Sequence, residues 1–185
     1  MTAWQLPTTA LIGGTTYLLN TDFRDILEIM QYMNDQEKPE YIRWEIALGL
    51  FYEGEIPETQ KPEAMQYLAD FISGGRSDEQ TPGAVLLDWE QDAAVIVADV
   101  NKVAGMEIRA TRYLHWWTFL SYFHAIGEGQ LLTIVSIRDK LRRGKPLEKW
   151  EQEYYREHKS KVALKVHYTP EELAERERLK ELLGV

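Results

Sequence analysis

The sequence predicts an all-α, mainly helical fold of about seven or eight helices with a short N-terminal β-hairpin. Apolar residues recur at three- and four-residue spacing through most of the chain, which is the period of a helix with one buried face. Glycines and prolines punctuate those segments at their ends. Strand-like alternation is confined to residues 1–21. With 185 residues and no cysteine, the chain is long enough to bury a core without disulfides, and thiolate metal sites and cysteine nucleophiles are excluded. Residues 1–165 read as one helical domain and 166–185 as a separable C-terminal helix.

The hairpin spans residues 8–19. Thr8–Ile12 and Thr15–Leu19 flank Gly13 and Gly14, a pair suited to the positive φ values of a two-residue turn. Asn20 or Thr21 is the expected cap of a helix from Asp22, whose buried face is Phe23, Ile26, Leu27, Met30 and Met33. Pro39 precedes a second helix, Tyr41–Tyr52, with Ile42, Ile46 and Leu50 on one line and Trp44, Leu48 and Phe51 beside it. Pro62 opens a third, with Met65, Leu68, Ala69 and Ile72 inward and Gly74–Gly75 at its end. Residues 76–83 are a polar loop and the natural internal boundary. A fourth helix is predicted over Leu86–Val103, with Trp89, Ala93, Ile96, Val97 and Val100 on the core side and Asp88, Asp92 and Asp99 on another face.

Residues 113–161 organise the rest. From Tyr113 to Ile126, apolar and aromatic side chains fall on almost every side of a helical wheel, so this helix is expected to be enclosed by others. Trp116, Phe119 and Phe123, with Trp89 and Ile134, are the predicted core. Trp117 lies about 100° from Trp116 on a helix and is assigned to a boundary or partner surface. Leu131, Ile134, Val135, Ile137 and Leu141 mark the next helix, and Arg138, Lys140, Arg142 and Arg143 gather where cations complement its dipole. After Gly144 and Pro146, a helix from near Leu147 carries Trp150, Tyr154 and Tyr155 among alternating charges. Residues 138–161 thus form a basic aromatic arm.

The formal charge of −9 is unevenly placed: residues 1–137 hold 8 Lys+Arg against 20 Asp+Glu, and residues 138–165 hold 10 against 5. A basic segment on an acidic body is explained by folding onto that body, by solvated helix faces, or by contact with an acidic partner. Nucleic acid would use the same cations, but the interspersed Glu148, Glu151, Glu153 and Glu157 argue against it. Tyr, Trp and Arg dominate binding hot spots. Arg138, Arg142, Arg143, Trp150 and Tyr154, with Trp117, are therefore the candidate partner-binding residues.

His115, beside two tryptophans, reads as a histidine satisfied within the core. A metal or catalytic role would need Asp88, Asp92, Glu128 or His124. His115 and His124 are nine residues apart and do not share a helical face as an i, i+4 metal pair does. The acidic line of Asp88 and Asp92 is read first as a solvated face or a salt bridge to a neighbouring helix, through Arg109, Arg112 or Arg138, and second as a cation or acid–base pair. No phosphate-binding loop or metal signature is present, so no cofactor is expected. No basic stretch followed by a long apolar run opens the chain and no segment is long enough to span a bilayer, so a soluble, non-secreted protein without membrane contact is expected.

Several segments in one order resemble the bacteriophage gene-product-fifteen family. They are Asn20-Thr21-Asp22-Phe23-Arg24 after the hairpin, Asp88-Trp89-Glu90-Gln91-Asp92, His115-Trp116-Trp117-Thr118-Phe119, and Ile137-Arg138-Asp139-Lys140 followed by Gly144-Lys145 and Trp150. The resemblance covers residues 10–165. It implies a protein of the tail-assembly region of long-tailed phages and prophages, similar to tail assembly chaperones. The implied partners are the tape measure protein, the tail tube protein and the preceding tail assembly gene product, with a second copy of the chain also compatible. The implied place is the host bacterial cytoplasm, with absence from the mature virion. The family carries no catalytic residues over. The alternatives kept beside this reading are a structural tail or connector component retained in the virion and a metal-assisted hydrolase centred on Asp88, Asp92 and His115.

Overall fold

In the computed structural model, residues 4–75, residues 86–164 and Arg178 are described. The predicted loop at 76–83 lies outside the described residues, as does the predicted C-terminal helix apart from Arg178. Among the described residues are eight α-helices and a three-stranded sheet.

β1 (Thr9–Ile12) and β2 (Thr15–Leu19) pair antiparallel around Gly13 and Gly14, whose φ values of 54° and 82° are those a tight primed turn demands. A third strand, β3 (Tyr52–Glu53), was not legible in the sequence. The second helix runs directly into it, and it pairs with β2 through Leu18↔Glu53 and Leu19↔Tyr52. Ala10, Ile12 and Leu19 face the core. Leu11 and Leu18 face outward and are 65% and 55% exposed.

α1 (Phe23–Asn34) is capped by Asp22, not by Asn20 or Thr21. The Asp22 carboxylate accepts from the Arg24 N–H and, through its other oxygen, from the Leu114 N–H, both at 3.0 Å. Asn20 instead donates to the Leu50 carbonyl at 2.7 Å, and Thr21 shares a 2.6 Å hydroxyl bond with Tyr113. Ile29 joins Phe23 and Ile26 in the core, while Leu27, Met30 and Met33 are half-buried. α2 (Glu40–Phe51) is turned relative to expectation. Ala47, Leu48 and Phe51 are buried, and the Ile42, Ile46, Leu50 line is only half-buried. Phe51 sets that rotation by packing between Tyr52 and Phe71, with ring centroids 4.8 and 4.9 Å away. α3 (Lys61–Ile72) buries Ala64, Leu68 and Phe71 and leaves Ala69 exposed. Its end is closed by Gly74 N–H to the Phe71 carbonyl at 3.0 Å and Gly75 N–H to the Asp70 carbonyl at 2.8 Å, a Schellman pattern.

Two predicted helix starts are wrong for one reason. α4 (Ala93–Ala104) begins seven residues after Leu86, with Ala93 exposed. Asp88 accepts from the Glu90 and Gln91 N–H groups at 2.9 and 2.7 Å, and Asp92 accepts from the Asp88 N–H at 3.0 Å. These local bonds offer the backbone an alternative to helix. α5 (Trp116–His124) likewise starts after Tyr113 and Leu114, because His115 forms an antiparallel bridge with Asp22 and then caps the helix itself. α6 (Gln130–Arg142), α7 (Lys149–Glu157) and α8 (Lys159–Val162) complete the chain described. Glu148 and Glu151 form a capping box at the start of α7. Leu141 is 41% exposed and does not belong to the buried face of α6.

α5 lies at the centre of the aromatic core. Phe119 stacks on Phe23 at 5.0 Å and on Trp116 at 5.4 Å, while Trp89 meets Phe123 at 5.1 Å. Aromatic side chains bury ~150–250 Å² each, so a few of them outweigh any single polar contact made by this helix. No helix among the described residues is long and apolar enough to cross a membrane.

Candidate functional site

Trp116, Phe119 and Ile134 are fully enclosed, and Trp89 and Phe123 pack half-buried against them. The six candidate partner-binding residues separate into three groups. Arg138 is a correction, because it faces inward and its side chain is only 4% exposed. Its guanidinium spends all five donors: Nε to the Val162 carbonyl, Nη1 to the Leu86 carbonyl and Asp92, and Nη2 to Asp92 and the Lys161 carbonyl. The Asp92 contacts are 2.6 and 2.8 Å, the two-pronged geometry that favours arginine over lysine. This pairing is one of those foreseen for the acidic line, and it removes Arg138 from any partner surface. Tyr154 also turns inward, with its ring 4.5 Å from that of His158 and its hydroxyl buried without a hydrogen-bond partner among the described residues.

Arg142, Arg143 and Trp150 remain at the surface. Both arginines bond to Asp139, which they hold below the ordinary carboxylate range. Trp150 is 53% exposed, with its indole N–H given to Glu148 at 2.9 Å. Lys140 reaches back to Glu151 at 2.6 and 2.8 Å and holds that carboxyl below its usual value. The arm is thus fastened to the body by Arg138 and Lys140. It is fastened again by Gln91, whose amide donates to the Ala163 carbonyl at 2.8 Å.

Trp117 lies between these extremes. Its indole Nε1–H donates to the Phe71 carbonyl at 2.9 Å, and its ring sits against Gly75, where an added Cβ would fall 3.1 Å from it. The rest of the ring lines an open groove of about 440 Å³ between the end of α3 and α5, shared with Ser73, Gly74, Leu120, Ser121, His124 and Ala125. Leu120 is buried beneath it, and Ser121, His124 and Ala125 are exposed around it. Helical periodicity marked Trp117, but could not reveal Ser73 and Gly74, just past α3, which complete the groove.

The arrangement proposed for metal-assisted hydrolysis does not assemble. Asp92 gives both oxygens to Arg138, while the His115 Nε2–H donates to the Pro7 carbonyl at 3.0 Å and Nδ1 accepts from the Trp117 N–H at 3.0 Å. Burial pushes the His115 imidazole below its ordinary pKa, consistent with a neutral ring. Among the described residues, no three His, Cys, Asp or Glu side chains are placed to hold a metal ion. Asp99, expected on a face other than the core side of its helix, is buried and accepts from the Leu131 N–H at 2.9 Å, so α4 supplies the N-terminal cap of α6.

The fold is thus a mainly helical domain carrying a small N-terminal antiparallel sheet, with a clasped helical arm. Residues 4–164 match the family model described as Bacteriophage Gp15 protein. The chain belongs to that bacteriophage family. No curated protein and no solved structure matches it.

Proposed function

We propose that the protein is a non-enzymatic tail assembly factor of a long-tailed phage. It is a chaperone that binds the tape measure protein, the tail tube protein, or both, in the host cytoplasm before the tube polymerises. The preceding tail assembly gene product is its companion in that step, and the chaperone is left out of the finished virion. Family membership supports the phage setting. The observation that carries the binding reading is the groove beside Trp117, an open depression with Leu120 below and polar groups around it. An amphipathic helix laid across such a groove buries an apolar side chain while its flanks stay solvated. Shielding apolar helices of the tape measure until tube subunits replace the chaperone requires a surface of this kind.

The test is co-expression of the tagged chain with the tape measure and tail tube proteins of the same phage, followed by purification and mass spectrometry. Soluble tape measure is expected to be retained. Ala125→Trp fills the groove from an exposed position and should lower retention about tenfold or more, ~1.4 kcal/mol, with the melting temperature unchanged. Retention equal to wild type would remove the groove from the reading. Failure of the wild type to hold either protein would remove the chaperone reading itself. Detection in purified virions at fixed stoichiometry would identify a structural tail component instead.

A further inference from the structure

The groove beside Trp117 is apolar at its floor, and the charge beside it is of one sign. No Asp, Glu, Lys or Arg lines it. One wall is Ser73 and Gly74, just past α3, and the other is α5 with its cap Ala125. Behind the first wall, Asp70 stands exposed one helical turn before Gly74, ~6 Å along the axis. Its carbonyl accepts from the Ser73 hydroxyl and from the Gly75 N–H, both at 2.8 Å, while its carboxylate accepts from the Gln66 amide at 2.9 Å. Behind the second wall, Glu128 is exposed three residues after Ala125, at most ~11 Å away by the reach of the chain. Among the described residues, no cation lies within ion-pair distance of Asp70 or Glu128.

The two helices that build the groove bring no cation to it. α5 contains no Lys or Arg. α3 contains one, Lys61, in its first turn at the far end, where Glu45 and Glu58 take it. The sequence that continues from Gly75 adds Arg76, but with it Asp78 and Glu79. Both helices also end at the groove, since Ser73 caps α3 and Ala125 caps α5, so the negative ends of two helix dipoles meet there. His124 is the one residue of either last turn able to carry positive charge.

We infer that the groove takes an amphipathic helix whose apolar stripe is edged by Lys or Arg, and rejects one edged by Asp or Glu. The apolar anchor of such a helix packs on the Trp117 ring above Leu120. A basic side chain on either edge reaches Asp70 or Glu128, and its aliphatic stem covers apolar surface on the way. An acidic edge would meet two carboxylates and two negative helix ends, an arrangement that repels the wrong partner. The inference rests on the groove being the binding surface of the proposed function. It adds the chemistry of the segment bound: within a long helical partner, the stretches with basic edges are the ones covered.

The test is titration of the purified full chain with two synthetic helical peptides that share one leucine face and differ only in having lysine or glutamate along its edges. Binding is read by calorimetry and by the NMR signal of the Trp117 indole N–H. At low salt the lysine peptide is expected to bind about fivefold or more tighter than the glutamate peptide, a ratio that shrinks at high salt. Asp70→Asn combined with Glu128→Gln, both at exposed positions, should abolish the preference without moving the melting temperature. Asp70→Lys alone should invert it and keeps the test decisive if the double variant unfolds. Ala125→Trp should abolish binding of both peptides. Equal binding, preference for glutamate, a preference that survives loss of both carboxylates, or no binding of either peptide would overturn the inference. Self-association of the wild type that Ala125→Trp removes would give the groove to a second copy and overturn it as well. Retention of the tape measure by a wild type that binds both peptides equally would sink this inference and leave the proposed function standing. Preference for the lysine peptide with no tape measure retained would do the opposite.

Discussion

At the scale of single residues, Arg138 is where substitution should cost most. Arg138→Ala strands the Asp92 carboxylate and takes the donors from the Leu86, Lys161 and Val162 carbonyls. Breaking a buried ion pair by removing one partner costs ~3–5 kcal/mol, so the urea midpoint should drop sharply with little change in slope. Arg138→Lys keeps the charge but not the five-donor fork and should recover only part of the loss. A midpoint like the wild type for the alanine variant would show the clasp to be energetically idle. His115 makes a separate prediction through pH. Burial lowers its folded pKa from the ordinary 6.5, so the unfolded chain takes up the proton first on acidification. Its contribution to stability is complete above that value and is lost as pH falls through the lower folded pKa. NMR titration of the imidazole should give a midpoint below 6.5 with Nδ1 unprotonated at neutral pH, and a midpoint at or above 6.5 would refute this.

At the scale of elements, the joint between α4 and α6 is the most tightly specified. A Cβ on Gly129 would lie 2.3 Å from one Asp99 carboxylate oxygen and 2.6 Å from the other. The carboxylate cannot give way without releasing the Leu131 N–H that it caps. Gly129→Ala should therefore cost ~1–2 kcal/mol, the scale of a lost helix cap, and amide exchange should quicken first at Leu131. The same joint shows what the sequence conveys and what it hides. Spacing located α1, α2, α3 and α6 because apolar residues recur along them at the helical period, although in α2 it marked the wrong line as the buried one. It placed the starts of α4 and α5 too early because the apolar pattern continues through residues 86–92 and 113–115. There the backbone is held by Asp88, Asp92 and Asp22 instead. It placed Asp99 off the core side and Arg138 on a partner surface for a related reason: the groups they bond lie 32 and 46 residues away, beyond the reach of any local pattern.

At the scale of the whole molecule, the exposed face of the arm was legible and the groove was not. Trp150 stands among charges on a short amphipathic helix, which is a local property, whereas Trp117 meets its groove partners through a fold that returns α3 to α5 across 46 residues. Charge segregation was legible as well, but one of its cations, Arg138, proved internal. The N-terminal ties have a consequence for the chain as it is synthesised. Asp22 and Pro7 find their partners Leu114 and His115 at separations of 92 and 108 residues. At ~5–20 residues per second, roughly 5–20 s of translation separate Asp22 from Leu114. Until then the nascent hairpin and α1 lack the α5 ring stack that covers them, so the apolar face around Phe23 stays open through much of synthesis.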